Sequence, residues 1–227
     1  MTKISIKFGF TLSEVLITLG IIGVVATLTT VALMNNTNQT EYKTAYKKMV
    51  SDIVQASKLS VIDNGGDLKD PTCGANRSRV SDLLAAHMSY SKKILPYSSD
   101  TDNCIRTTTK TLNGIVNAVA SNQPGLVLNN GGCFAIMDYA NHIARCPEIA
   151  CPGSNYCTNV YMDVNGPNKG PNVIGKDIFW GSISYDGDYK PATYHGGLPG
   201  FEGSPANYVT SCATGTGVGC STKYLLE

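Results

Sequence analysis

The chain has 227 residues and a formal net charge of +1 at pH 7, with 18 Lys+Arg against 17 Asp+Glu. From Gly65 onward the sequence has 12 basic and 13 acidic side chains, so the charge argues against general binding of nucleic acid. The length is sufficient for a domain with a buried core. Most of the 23 Gly and all 10 Pro lie in this later part, which is therefore predicted to be rich in loops.

The amino-terminal segment 9–34 is apolar and contains one charged side chain, Glu14. It follows a short leader that carries Lys3 and Lys7. Residues 15–34 are 20 residues without an ionisable group, and a helix of that length is about 30 Å long, the thickness of a bilayer's hydrocarbon core. The segment is therefore predicted to span a membrane. A carboxylate at the centre of such a helix costs about 2.5–3.5 kcal/mol and less toward its ends, which makes Glu14 a candidate functional residue.

Two other interpretations of this segment were compared. A secretory signal also has a basic start and an apolar run, but residues 12–34 exceed the usual length of that run, and no A-x-A-like cleavage site follows. A plain single-pass anchor stays open. Lysines on both sides of the segment leave its orientation undetermined by charge.

The words G-F-T-L-S-E-V-L-I-T-L-G-I-I-G, which begin at Gly9, resemble the processing site and anchor of type IV prepilins and of type II secretion pseudopilins. The resemblance implies that a membrane prepilin peptidase cuts after Gly9 and methylates the new amine of Phe10. The apolar helix is then retained. Glu14 becomes the fifth mature residue, the position at which this family places its glutamate.

Cleavage would create a cationic amine on Phe10 in the same apolar zone as Glu14. The two charges lie about four residues apart, ~6 Å along one helix, and the amine of one subunit can also meet the carboxylate of a neighbour. The family uses this glutamate to set subunit register, which is a recognised use of a costly charged pair. The alternative is a carboxylate that extends to the lipid headgroups.

A second helical stripe follows the apolar segment, because Tyr42, Tyr46, Met49, Ile53 and Ala56 recur at spacings of four and three residues. A single helix from about residue 10 to residue 63 is predicted, ending at Asn64-Gly65-Gly66. The alternative is two helices broken within residues 35–38. By resemblance to pilins, the outer half of the helix packs against a sheet.

Beyond the helix, alternating apolar patterns predict strands at residues 125–128, 133–139, 159–164 and 178–185, with a short helix at 81–90. The predicted fold class is α+β. It is pilin-like, with a long amino-terminal helix packed on a small antiparallel sheet and a loop-rich, disulfide-containing carboxyl-terminal part.

Eight cysteines all lie beyond the apolar segment, and an exported domain with an even number favours disulfides. Cys212 with Cys220 is the best local pair, as in the disulfide-bounded terminal region of many pilins, and Cys73 with Cys104 is a weaker one. No C-x2-C pair supports a zinc site. The disulfide candidates are Cys73, Cys104, Cys133, Cys146, Cys151, Cys157, Cys212 and Cys220.

The loop 163–177 carries many oxygen donors between two predicted strands. Asp163, Asn165, Asn172 and Asp177 offer side-chain oxygens of the kind that calcium prefers. The words D-V-N-G and P-N-x-x-G-x-D also resemble a loop of pseudopilin-like proteins, some of which hold calcium, and this favours the pseudopilin interpretation. Turn chemistry is an equally available explanation, because turns use the same residue types.

No G-x-S-x-G, P-loop or H-E-x-x-H motif occurs, so the sequence predicts no catalytic residue. We expect four segments: leader 1–9, transmembrane and assembly helix 10–34, amphipathic extension 35–64, and exported globular domain 65–227. By the resemblance, the chain is a non-enzymatic subunit of a type II secretion pseudopilus or a type IV pilus.

The resemblance also implies the partners and the location. The partners are other pilin or pseudopilin subunits, the prepilin peptidase, an inner-membrane assembly platform and the lipid bilayer. The chain is expected in the bacterial cytoplasmic membrane, with its carboxyl-terminal domain outside the cytoplasm, and then in the fibre. A membrane-tethered extracytoplasmic binding protein or enzyme, and a DNA-uptake pilin, remain the alternatives.

Overall fold

The architecture was obtained from a computed structural model. The structure describes residues 9, 11–68, 79–95, 103–106, 108–116, 123–137, 156–192 and 207–227. The chain divides into two compact units, Met1–Glu41 and Tyr42–Glu227.

Helix α1, Leu12–Asp63, has 52 residues and contributes to both units. The predicted single helix is confirmed over these residues, and the alternative break within residues 35–38 is wrong. The apolar and amphipathic halves are helical for different reasons. The first half is apolar on all sides, which suits a helix surrounded by lipid. The second half has apolar residues at spacings of three and four, as in a helix that packs on one side.

The predicted stop of α1 is confirmed by the hydrogen bonds at its end. The Gly66 N–H donates to the Val61 carbonyl at 2.8 Å, and the Gly65 N–H donates to the Ile62 carbonyl at 3.3 Å. This pair of bonds is a Schellman motif. It requires the left-handed backbone that Gly65 adopts, with φ of 86°.

Six antiparallel strands form one sheet in the order β1-β2-β3-β4-β5-β6, so each strand pairs with its neighbours in sequence. The α+β class is therefore confirmed. The strands are β1 Tyr90–Ile94, β2 Gly125–Leu128, β3 Cys133–Met137, β4 Tyr156–Asp163, β5 Ile178–Ser184 and β6 Tyr189–Pro191.

One face of the sheet packs against the second half of α1. The ring of Tyr46 stacks on Phe179 of β5 with centroids 4.2 Å apart. The predicted stripe on α1 is thus the core-facing side of this helix half. Alternate residues of the central strands complete this core, whose buried members include Met49, Ile53, Leu126, Phe134, Ile136, Val160, Met162, Phe179 and Ile183.

The opposite face of the sheet forms a second buried cluster. Tyr161 of β4 and Trp180 of β5 stand opposite each other in the register and stack with centroids 5.1 Å apart. Both strands therefore bury side chains on both faces. This explains why β5, Ile178–Ser184, is buried at every position and why its sequence does not alternate cleanly between apolar and polar residues.

Three short helices complete the described fold: α2 Arg79–Ala85, α3 Asn207–Ala213 and α4 Cys220–Leu226. The predicted helix 81–90 is too long at its end, because Tyr90 already belongs to β1. That strand, Tyr-Ser-Lys-Lys-Ile, is mostly exposed and carries two lysines, which suits the edge of a sheet.

Two disulfides are described. Cys212–Cys220 confirms the predicted local pair, with Cα atoms 4.6 Å apart. The predicted Cys73–Cys104 pair is wrong, because Cys104 bonds Cys133 with Cα atoms 5.7 Å apart. Cys133 begins β3, and both cysteines belong to the buried cluster on the second face of the sheet, a proximity that the cysteine spacing does not reveal. Cys73, Cys146 and Cys151 lie outside the described residues, as does the side chain of Cys157.

Candidate functional site

The first half of α1 has an apolar surface that the described part of the chain leaves uncovered. Residues 12–30 form the one described helix that is long and apolar enough to cross a membrane, with mean hydropathy 2.0. Every side chain described over that stretch is exposed, and Leu12 retains 78% of its surface. A surface of this kind has a large hydrophobic cost in water, so it needs lipid or protein around it.

The threonines of this half satisfy their hydroxyl groups within the helix. Thr18 Oγ1 donates to the Glu14 carbonyl at 2.9 Å, Thr27 Oγ1 to the Val24 carbonyl at 2.8 Å, and Thr30 Oγ1 to the Ala26 carbonyl at 2.7 Å. Such bonds to the preceding turn remove the need for a water partner. The polar residues of the segment are therefore compatible with an apolar surrounding.

Glu14 forms a capping box with Thr11 at the start of α1. Its Oε2 accepts from the Thr11 N–H at 2.8 Å and from Thr11 Oγ1 at 2.9 Å, while Thr11 Oγ1 accepts from the Glu14 N–H at 3.2 Å. This is the T-x-x-E pattern by which a helix satisfies its first amides. The pattern is visible in the sequence, and it gives Glu14 a role inside its own helix that the comparison with prepilins did not predict.

The two predicted processing residues lie immediately before this cap. Gly9 is exposed, and an added Cβ would find nothing within 4 Å. Phe10 lies outside the described residues. The expected pairing of Glu14 with the amine of Phe10 therefore remains a prediction.

The second site is the connection between β4 and β5. Asp163 is the last residue of β4, and Asp177 directly precedes β5, its antiparallel neighbour. The end of β4 lies beside the start of β5, so both carboxyl groups lie at the same end of these two strands. Both residues are fully buried. The sequence-predicted donors Asp163 and Asp177 are thus brought close together although 14 positions separate them.

Backbone amides hold each carboxylate. Asp163 Oδ1 accepts from the N–H groups of Asn165 at 3.3 Å and Gly166 at 2.8 Å. Asp177 accepts from the Val173 N–H through Oδ1 and from the Asn172 N–H through Oδ2, both at 2.8 Å. Such bonds from loop amides are typical of turns. Turn formation, the alternative to calcium binding, therefore accounts for one oxygen of Asp163 and for both oxygens of Asp177.

The electrostatics of the pair are unfavourable without a cation. Burial raises the pKa of Asp163 to about 8, and the nearby charge of Asp177 adds to the rise. Burial also raises the pKa of Asp177. The amides of Gly166 and Asn165 and then the charge of Arg106 lower the pKa of Asp163 only in part. The Arg106 guanidinium group donates to the Pro167 carbonyl at 2.9 Å and to Asn168 Oδ1 at 2.6 Å. Two buried like charges are costly, and a proton or a metal cation relieves that cost.

Two buried oxygens at this end of the paired strands have no hydrogen-bond partner among the described residues. They are Asp163 Oδ2 and Asn165 Oδ1. Asn165 interacts with both carboxyl groups. Its N–H donates to Asp163, and a hydrogen bond from its side chain lowers the pKa of Asp177. A buried carboxylate oxygen without a donor is the group that a cation would satisfy.

The donor chemistry fits calcium. Asp163, Asn165 and Asp177 supply hard oxygens, and calcium takes six to eight such ligands from carboxylates, amides, carbonyls and water. Within the described ranges no group of three His, Cys, Asp or Glu side chains meets, so part of the shell would come from carbonyls and water. Asn172, the fourth predicted donor, holds Asp177 through its N–H, and its backbone carbonyl accepts from the Lys110 N–H at 3.1 Å.

Comparison of the chain with protein-family models, with curated proteins and with solved structures gives no significant match. Its function is therefore inferred from its own residues. Two features stand out among the described residues: an exposed apolar helix, and a buried carboxylate pair with an unsatisfied oxygen.

Proposed function

We propose that this chain is a structural subunit of an extracytoplasmic fibre, either a type II secretion pseudopilus or a type IV pilus, and that it has no catalytic role. The observation that carries the proposal is the uncovered apolar helix of residues 12–30, which continues as the same α1 into the core of the domain. Because one helix would serve both as membrane anchor and as part of the core, the folded domain would be connected directly to the anchor without a linker.

Lipid would cover this helix before assembly, and the helices of other copies would cover it in the fibre. Lipid tails are as apolar as these side chains, so the hydrophobic effect gives little preference for protein neighbours. Close packing and polar pairing must therefore supply the preference. Glu14 is the one charged side chain of the segment, and its proposed partner is the amine that cleavage after Gly9 exposes on Phe10.

The capping box allows the charge of Glu14 to be tested separately from its role at the helix start. Glu14→Gln keeps an oxygen that caps the helix but removes the charge, whereas Thr11→Ala weakens the cap and keeps the charge. If charge pairing drives assembly, Glu14→Gln and Glu14→Ala will both fail to form fibres, and Thr11→Ala will form them. Sedimentation of sheared fibres measures this.

The opposite result would contradict the proposal. Fibres of Glu14→Gln in normal amount would mean that the carboxylate only caps its helix. A membrane-tethered binding protein or enzyme, the main alternative, predicts normal function for all three variants.

A second proposal concerns the loop 163–177, and the specific observation behind it is the unpartnered, buried Oδ2 of Asp163. We infer that Asp163, Asn165 and Asp177 hold a calcium ion that stabilises the exported domain.

In the full chain solubilised in detergent, calcium should raise the melting temperature, and Asp163→Ala should abolish the rise. An equal rise in both proteins would place the ion elsewhere, and no rise in the unchanged chain would remove the proposal. Such a calcium site would favour the pseudopilus over the pilus.

A further inference from the structure

The loop that carries Asp177 is in direct backbone contact with the disulfide loop 212–220. The contact lies at Gly175 and Gly217. A Cβ added at Gly217 would be 2.1 Å from the Ile174 carbonyl oxygen, and one added at Gly175 would be 2.6 Å from the Gly217 carbonyl oxygen. Contacts below 3.0 Å with backbone atoms force a displacement, so the two loops fit together only while both positions are glycine.

The disulfide itself belongs to this contact. The Cβ added at Gly175 would also lie 2.9 Å from Sγ of Cys220. A third segment joins both loops, because the Leu112 N–H donates to the Thr216 carbonyl at 3.0 Å and the Ile174 N–H donates to the Lys110 carbonyl at 2.8 Å. The disulfide loop therefore lies against the backbone next to the cation site and is held there on two sides.

A short hydrogen-bonded turn connects this contact to the carboxylate. Asp177 accepts the amides of Asn172 and Val173, and the Gly175 N–H donates to the Ile178 carbonyl at 2.8 Å. The same turn thus contains Ile174 and Gly175, which contact the disulfide loop, and Asp177, the proposed calcium ligand. The backbone carbonyl of Asp177 accepts from the Val164 N–H at 2.9 Å at the end of β4.

We propose that the Cys212–Cys220 loop positions Asp177 for cation binding, so that this disulfide and the calcium site are thermodynamically coupled. The inference rests on the calcium site proposed above. Residues Cys212, Cys220 and Gly217 act through Asp177 and do not bind the ion themselves. Coupling between two sites is reciprocal, so bound calcium also stabilises the disulfide loop.

Calcium affinity of the full chain in detergent, measured by isothermal titration calorimetry with calcium chloride, tests the coupling. The variants are Gly217→Ala and the double variant Cys212→Ser/Cys220→Ser. Each should bind calcium at least fivefold more weakly than the unchanged chain. Gly65→Ala is the matched control: Gly65 has φ of +86° against +89° at Gly217, but nothing lies within 4 Å of its added Cβ. It should bind calcium with unchanged affinity.

A measurement on the unchanged chain covers the case in which a variant fails to fold. Dithiothreitol reduces Cys212–Cys220 to two thiols and is itself oxidised to its cyclic disulfide, and alkylation with peptide mass spectrometry measures the rate at Cys212. Calcium should slow this reduction severalfold. If calcium binds the unchanged chain but neither the variants nor the reduction rate respond, the coupling is wrong and the calcium site stands. If the unchanged chain binds no calcium, both are wrong.

Discussion

The carboxyl groups of Asp163 and Asp177 are buried where β4 ends and β5 begins. The sequence places Asp163 and Asp177 in a loop of turn-forming residues, where oxygen donors are ordinary. The strand register brings both carboxyl groups to one end of the paired strands β4 and β5. Only the packed fold shows that both are buried and that one oxygen of Asp163 has no donor among the described residues. Register depends on pairing across the sheet, so sequence spacing alone could not predict it.

Asp163 gives a prediction for the pH dependence of stability without calcium. Its pKa is raised to about 8 in the folded chain, so the folded state holds a proton that the unfolded state releases near pH 4. Stability in a chelator is therefore expected to fall as pH rises from 4 to 8, by at most about 1.4 kcal/mol per pH unit for this one group. Asp163→Asn should reduce that slope. Urea unfolding at several pH values measures it, and equal slopes would contradict the assignment.

Tyr46 gives a prediction for a buried polar contact between α1 and the end of the chain. Its hydroxyl donates to the Ser221 carbonyl at 3.0 Å and lies 3.1 Å from the hydroxyl of Tyr189. Tyr46→Phe would leave those groups without this partner and should lower the free energy of unfolding by about 1–3 kcal/mol. Tyr90→Phe, at a residue 40% exposed, is the control and should change little. Urea denaturation compares the two.

At the scale of elements, the apolar segments were predicted from the sequence and the polar or aperiodic ones were missed. The stripe of α1 and strand β2 follow directly from their apolar spacing. Strands β1 and β6 were missed because they lie at the edges of the sheet, where side chains are polar and pairing comes from one neighbour. Helices α3 and α4 were missed because residues 207–226 lack an apolar period, and the Cys212–Cys220 bond links them.

The two sides of α1 give a prediction about which of its residues stabilise the domain. Ile53 is fully buried against the sheet, whereas Ile62 retains 72% of its surface. Ile53→Ala should cost about 2–5 kcal/mol of unfolding free energy, because it leaves a cavity in the core. Ile62→Ala should change stability by about 0.5 kcal/mol or less. Thermal unfolding monitored by near-ultraviolet circular dichroism distinguishes them, and similar losses would mean that α1 packs differently.

At the scale of the whole molecule, the chain joins an uncovered apolar helix to a domain that is held together by disulfides. Both properties were predictable, because they depend on long runs and on the number of cysteines. The Cys104–Cys133 pairing was not, because eight cysteines allow 105 pairings and the fold selects among them. In the proposed fibre, the helix would contact lipid and then other copies, and the domain would form the outer surface.

The amino terminus of the mature protein tests the central proposal most directly. Intact-mass and amino-terminal peptide mass spectrometry of the chain purified from membranes should find a protein that begins at Phe10 with one added methyl group, and Gly9→Ala should leave the uncut precursor. A purified chain that retains residues 1–9, or one that begins at another residue, would contradict the proposal.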